Sequence, residues 1–401
     1  MVTDSEYNIE NLYLCLKIKS IVSMKEMKES IIIRNFGPIN EVEIENIRPL
    51  TILIGESGSG KSTVMKVLVL FRWIYKMVNI RSYLKHAGIT KSPFTFDFDR
   101  YLSNNGLVGY IKEDTEIIYT RGNNTIAYKG GLNASALIEP EDLCLDKMSF
   151  IGDKRNIIPD MLVNKVSKKS TDYFLNEVFD DFIRASKEIT ELSLDYLGIK
   201  FVTKKTNSGI KYFIENNSEN EDYTINFEYS SSGTQTVTPL SVIVEYFSKR
   251  YDLVKSFNNA ILGYMSHNDQ LGEFRPVKNI GDIVFKNVHL HVEEPELSLY
   301  SESQRSLMNF IVNRCFVDKP SNYNMTVMMA THSPYIINHI NLLILAAKKG
   351  ITEEGAMIDF NKVDVFEITD GYLNDLRREE KFIIDTRPLS VPISNIYESY
   401  N

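Results

Sequence analysis

The stretch that most constrains this chain is residues 51–65, TILIGESGSGKSTVM. An extended apolar run enters Gly55-Glu56-Ser57-Gly58-Ser59-Gly60-Lys61-Ser62, and a helix-compatible run beginning at Thr63 leaves it. G-x-x-x-x-G-K-S between a strand and a helix is the context of a phosphate-binding loop. Its glycines let successive backbone N–H groups turn inward around a polyphosphate. The helix that follows aims its positive N-terminal end at the same charge. In this pattern Lys61 reaches the terminal phosphates and the Ser62 hydroxyl takes one position on Mg²⁺, so ATP and Mg²⁺ are the expected substrate and cofactor.

The flanks predict an α/β chain. Residues 31–36 read as a strand, Gly37-Pro38 as a turn, residues 42–47 as a second strand and 50–54 as the strand feeding the loop. Val64, Val67, Leu68, Phe71, Ile74 and Tyr75 fall at helical spacing after it. Lys66, Arg72 and Lys76 interrupt that run, which makes it a core helix and not a membrane span. Residues 115–120 and 125–128 flank a hairpin signal, 148–151 read as a short buried strand, and 171–197 read as helical. Residues 199–203 and 210–214 read as strands, and 216–222 as a polar loop. Residues 363–368 with Gly371-Tyr372 form a last hairpin.

Three further stretches suit a nucleotide site. VHLHVEEPE, residues 288–296, is an extended run ending in acids: Glu293 is placed to meet Mg²⁺ opposite Ser62, and Glu294 to orient an attacking water. His289 and His291 alternate along that strand and are expected to be packed, not ligating. VMMATHSP, residues 327–334, ends a strand at Thr331-His332. Ser333 suits an N-cap and Pro334 the first helical position. This holds His332 at a strand's C-terminal end, where it can bond a γ-phosphate. Finally, SSSGTQ, residues 230–235, opens a helical run through Leu240, Val242, Ile243, Tyr246 and Phe247, giving a helix N-terminus that favours an anion.

In this order the stretches resemble the ABC-type ATPase head: GESGSGKS as Walker A, FIGDKRN (150–156) at the Q-loop position, SSSGTQ as the signature, VHLHVEEPE as Walker B with its D-loop, and ATHSP as the switch histidine. IRNFGPI before the loop and EEPELSLY before THSPY are similar to ATPases related to the SMC, RecF and overcoming-lysogenization-defect families, which carry the AAA name but are built like ABC heads. The resemblance implies a mixed central sheet flanked by helices, an N-terminal antiparallel β part and a compact, mainly helical insertion. It divides the chain into an N-terminal extension (1–26), the Walker A half (27–155), an inserted arm (156–215) and the half with signature, Walker B and switch (216–401). It makes Lys61, Glu294 and His332 catalytic, assigns Mg²⁺ to Ser62 and Glu293, and gives nucleotide contacts to Asn35, Gly55 through Thr63, and Ser232 and Gly233. It further implies that two copies pair head-to-tail, each ATP lying between Lys61, Ser62, Glu293 and His332 of one chain and Ser232–Gly233 of the other. Departures stand beside it. Glu293 replaces the aspartate of many relatives. Asp153, Lys154 or Arg155 would have to replace a Q-loop glutamine. Ser301 stands where relatives carry proline, and SSGTQ is not the transporter form of the signature.

Composition narrows the alternatives. A net charge of −8 over 401 residues gives no global basic footprint. The three cysteines are scattered, and with no signal peptide a cytoplasmic protein is expected. No sustained heptad run supports a long coiled coil, and no nuclease signature is visible. The leading expectation is an ATPase whose head dimerisation switches a separate effector, such as a nuclease or toxin, as in bacterial anti-phage systems. The alternatives are a RecF/SMC-like DNA-repair ATPase, with Lys165, Lys168, Lys169, Lys204, Lys205 and Lys211 as phosphate contacts, and a nucleotide-gated scaffold with little hydrolysis.

Overall fold

The computed structural model describes residues 27–89, 96–207, 209–217, 223–267, 274–276, 278–389 and 398–399. The expected N-terminal extension, most of the 216–222 loop and Cys15 lie outside them.

The strands are β1 Glu29–Phe36, β2 Ile39–Ile44, β3 Leu50–Ile54, β4 Ile111–Arg121, β5 Asn124–Lys129, β6 Leu132–Asn133, β7 Cys144–Ile151, β8 Glu191–Leu194, β9 Ile199–Thr206, β10 Gly209–Asn216, β11 Thr224–Asn226, β12 Phe285–Glu293, β13 Asn324–Ala330, β14 Val363–Thr369 and β15 Tyr372–Asp375. An 11-stranded sheet runs β6-β5-β4-β1-β2-β15-β14-β3-β13-β12-β7. Its two halves differ in chemistry. From β6 to β2 every pairing is antiparallel. From β14 to β7 every pairing is parallel. The parallel strands are buried on both faces, as runs such as Leu50-Thr51-Ile52-Leu53-Ile54 require. This is the mixed sheet with an antiparallel N-terminal part that the resemblance implies.

The P-loop helix, Lys61–His86, lies against β7, β12 and β13 and is buried along most of its length. At 26 residues it is about 39 Å long. The segment expected as an inserted arm holds a helix at Tyr173–Glu188, with Asp172 as N-cap, and most of a separate sheet ordered β11-β10-β9-β8, whose β11 lies beyond the expected boundary at residue 215.

Two expected boundaries move. The second strand spans Ile39–Ile44, because Ile39 pairs with Phe36 straight across the Gly37-Pro38 turn. The helix expected over 171–197 stops at Glu188, and residues 191–194 pair with β9, Leu192 opposite Phe201 and Leu194 opposite Ile199. Cross-strand burial of Leu192 opposite Phe201 and Leu194 opposite Ile199 outweighs a helical period. Among the described residues no helix is long and apolar enough to cross a membrane.

Candidate functional site

Parallel register collects the motifs on one edge of the sheet. Leu53 pairs with Ala330, Ala330 with Glu293, and Val292 with Ile151. The P-loop, Thr331-His332, Glu293-Glu294 and the Gly152–Arg155 turn therefore all follow the C-terminal ends of neighbouring strands, where α/β sheets hold ligands. They border one cleft of about 660 Å³.

Within the loop, Gly55 and Gly60 take φ of 142° and 110°, a region that disfavours side chains. A Cβ on Gly55 would strike the Ile368 carbonyl, and one on Gly60 the Ile39 side chain. Lys61 is 6% exposed, and its Nζ donates to the carbonyls of Gly55 at 2.9 Å and Glu56 at 2.8 Å, arching the loop around the ammonium. Burial lowers its pKa, against the raising fields of Glu294 and Glu296. Ser57, Gly58, Gly60, Lys61, Ser62 and Thr63 line the cleft. Gly55, Glu56 and Ser59 are not part of that lining.

Glu293 is buried at the tip of β12. Its carboxylate accepts from the Ser62 hydroxyl and from the Asp153 backbone N–H. Burial raises its pKa, and those two bonds together with nearby Lys66 pull it back. Gly152 lies beside this carboxylate, and a Cβ there would come to 3.5 Å from Oε2, an ordinary contact. A desolvated carboxylate bonded to a serine hydroxyl fits a divalent cation. No group of three or more His, Cys, Asp or Glu among the described residues could hold a metal by itself. A cation held by Ser62 and Glu293 would complete its shell with phosphate oxygens and water, as Mg²⁺ does.

Glu294 has a different posture. Its φ is 43°, unusual for a non-glycine residue, and its backbone N–H is fixed to the Ala330 carbonyl at 2.8 Å. The side chain is 40% exposed and faces the cleft, with His332 Nε2 at 4.0 Å. The His332 backbone N–H donates to Glu296 Oε1 at 2.7 Å. Glu296, which the sequence offered only as part of EEPE, thus ties the turn after β12 to the turn after β13. Ser333 caps the next helix through Ile336 N–H, and its hydroxyl donates to Gln304 at 2.5 Å.

Arg155 takes a structural role that the Q-loop position did not announce. It is fully buried and donates to four carbonyls: Thr236 at 3.1 Å, Gly152 at 3.0 Å, and Glu293 and Glu294 at 2.7 Å each. Burial lowers its pKa to about 10, against the fields of Glu296, Asp153, Glu294 and Glu293. One guanidinium thereby joins the helix Ser232–Lys249, which the SSSGTQ stretch opens, to the backbone of both acids. Asp153 offers its backbone N–H to Glu293, and Lys154 pairs with Asp172 at the start of the insertion helix.

Ser232 and Gly233 are not brought to the P-loop of the same chain. They open their helix behind the N-cap Ser231, outside the cleft lining. A Cβ on Gly233 would sit 2.7 Å from the Ser298 carbonyl, so this glycine lets the helix tip pack on the turn that follows EEPE. Asn35 also lies outside the cleft lining. It sits at φ 52°, and its amide donates to Asp114 at 2.8 Å. Residues not anticipated do line the cleft: Pro38, Lys66, Asn104, Asn105 and Tyr110. Of the insertion's lysines, Lys165, Lys168 and Lys204 pair with Asp160, Asp180 and Glu215. Lys169, Lys205 and Lys211 are exposed. As expected, His289 and His291 are packed, both buried in the core.

No curated protein matches the sequence. Among solved structures, the fold is similar to an SMC head bound to the C-terminal winged-helix domain of ScpA, at 11% identity and TM-score 0.35, over 89% of this chain and 99% of that one. It is also similar to the SMC head domain of Thermotoga maritima, at 12% identity and TM-score 0.34, over 88% and 100% of the two chains. The recombination mediator protein RecF is similar at 12% identity and TM-score 0.35, over 88% and 98%. Residues 27–85, which hold β1 to β3, the P-loop and nearly all of its helix, match the family model described as an AAA ATPase domain.

Proposed function

We propose that the chain is an ATP-binding and ATP-hydrolysing head that closes on a second copy of itself and reopens after hydrolysis. The observation that carries this reading is the division of the motifs. Lys61, Ser62, Glu293, Glu294 and His332 border one cleft, while Ser232–Gly233 stands outside it on a helix tip of the same molecule. A second copy placed head-to-tail supplies the missing wall, with its signature helix N-terminus facing the γ-phosphate.

Each residue then has one task. The loop amides and Lys61 hold the phosphates. Ser62 and Glu293 would hold a Mg²⁺ ion, which would supply positive charge to offset the charge of the phosphates. Glu294, exposed on its strained turn, orients the attacking water and takes its proton. His332, held in place by Glu296, donates to the γ-phosphate. Arg155 connects the acids to the signature helix, so the catalytic turn and the dimer surface move as one body.

Such a switch acts through what it carries. By motif resemblance, we assign the output to a separate effector, a nuclease or toxin in anti-phage defence. The test is steady-state phosphate release by the purified chain, alone and with the product of an adjacent effector gene. Release that depends on Lys61, together with effector activity that follows the nucleotide, supports the reading. ATP-dependent DNA cleavage by the isolated chain contradicts it.

A further inference from the structure

A second cavity of about 200 Å³ lies beside the nucleotide cleft, between the P-loop helix, β7 and the insertion helix. Its walls are aromatic. Trp73 and Tyr101 meet edge to face with centroids 4.6 Å apart, Phe150 packs on Phe174 at 4.2 Å, and Tyr173 stands at the rim, 40% exposed. Such a wall binds flat rings by stacking and edge contacts.

The polar groups are few and unequal. Lys147 and Asp181 neutralise each other at 2.8 Å, and Ser149 donates to the same carboxylate at 2.7 Å. Lys76 is half-buried, lines the cavity, and has no hydrogen-bond or ion-pair partner among the described residues. Burial and the neighbouring Lys147 lower its pKa to about 8, against the raising fields of Asp146 and Asp181, which leaves it mainly charged at neutral pH. A desolvated ammonium with no direct hydrogen-bond or ion-pair partner is costly, and an incoming anion relieves that cost. Glu177 also borders the cavity, and its carboxylate opposes a ligand of higher negative charge.

We infer that this cavity is a binding site for a small planar aromatic monoanion, an aryl carboxylate, whose ring lies among Trp73, Tyr101 and Phe150 and whose acid meets Lys76. It is not an extension of the ATP site. Lys76 lies fifteen residues beyond Lys61 on one helix, about 22 Å along its axis. The two cavities nevertheless share Asn104, Asn105, Phe150 and Phe174 as wall, so an occupant touches the side of the nucleotide cleft. The inference does not depend on the proposed ATPase cycle.

Trp73 is the single tryptophan of the chain, so its emission reports the site directly. The experiment titrates the full chain, without nucleotide, with benzoate, and in parallel with benzyl alcohol and AMP. A saturable change with benzoate, absent with the neutral alcohol and the dianion, is expected. Lys76→Met should weaken benzoate by roughly tenfold or more, the worth of one charge-assisted bond. Lys76→Arg should retain most of the affinity and Glu177→Gln should raise it, so the site remains testable if the methionine variant does not fold. Lys61→Ala should leave benzoate binding unchanged. Equal binding of benzyl alcohol, unaltered affinity in a folded Lys76→Met variant, no increase in Glu177→Gln, or loss in Lys61→Ala would each overturn the site.

Discussion

β12 carries two sets of ionisable residues that are two positions apart and behave oppositely. His289 and His291 lie inside a buried layer of paired charge. Glu29 grips Arg72 in two bonds of 2.7 and 2.6 Å and accepts from Tyr119 at 2.6 Å. Arg72 also donates to His291 Nε2 at 2.8 Å, which requires that nitrogen to be an unprotonated acceptor. Arg121 grips Asp146, which also accepts from Asn287. Burial first, and then Arg72, hold His291 well below its ordinary pKa. Arg72 holds Glu29 far below the carboxylate range despite burial. Glu293 and Glu294, at the tip of the same strand, keep capacity in reserve. One shares a serine hydroxyl where a metal fits, and the other faces the cleft. A buried charge whose partners come from its own chain builds the core. A charge whose geometry is fixed but whose valence stays open is available for chemistry.

Substitutions at the two ends of the strand should separate these roles. Glu294→Gln should give the largest effect, a loss of roughly 10²- to 10⁴-fold in phosphate release, with a thermal midpoint close to that of the unaltered chain because the side chain is half exposed. Unchanged hydrolysis would remove Glu294 from the mechanism.

Glu29→Gln should do the reverse, lowering stability by about 3–5 kcal/mol, the usual loss when a buried ion pair is broken from one side. Denaturant unfolding measures it. Because the folded pKa of Glu29 is depressed, its contribution is fully present above the unfolded carboxylate value of about 4.3 and declines as pH falls below it. The unaltered chain should therefore lose stability below that pH more steeply than Glu29→Gln. Parallel acid profiles would show that this pair is not what titrates.

Arg155→Met joins both regions. Four carbonyls lose the guanidinium, which should cost about 1–3 kcal/mol for each one left buried without another donor or water. Phosphate release should fall even where the variant is folded, since Glu293 and Glu294 lose their backbone anchor. Stability loss with full activity would make Arg155 a core residue only. The smallest effect belongs to the insertion's surface. Replacing Lys165, Lys168 and Lys204 together by alanine should change stability by no more than about 0.5 kcal/mol per site, since exposed pairs contribute little. A larger loss would mean that these pairs organise the insertion.

The same contrast explains what could be read from sequence. The open-valence residues sit in short continuous stretches, GESGSGKS, EEPE and THSP, and each can be recognised without knowing its neighbours in space. Their collection on one edge followed from parallel order. The buried layer could not be read that way. Glu29, Arg72, Tyr119, Arg121, Asp146 and His291 come from β1, the P-loop helix, β4, β7 and β12, and only sheet order makes them partners. Burial of the two histidines was predictable from alternation, but their partners were not. Arg155 stands in the stretch at the Q-loop position, as one of three residues that could replace its glutamine, while its donors serve main-chain carbonyls, which leave no mark in a side-chain pattern. The helix end at Glu188 was missed for a similar reason: pairing of residues 191–194 with β9 is tertiary.

The central claim is that each ATP site is built from two copies of the chain, and mixing tests it most directly. Lys61→Ala removes the phosphate-holding side of a site, and Gly233→Asp removes the signature side by placing a carboxylate at a crowded helix tip. Each variant alone should be inactive in phosphate release. Combined in equal amounts, the two should recover activity, because in a mixed pair one site joins an intact P-loop to an intact signature. If the mixture stays as inactive as its components while both variants are folded, the site is not shared between chains and the head-to-tail account is wrong.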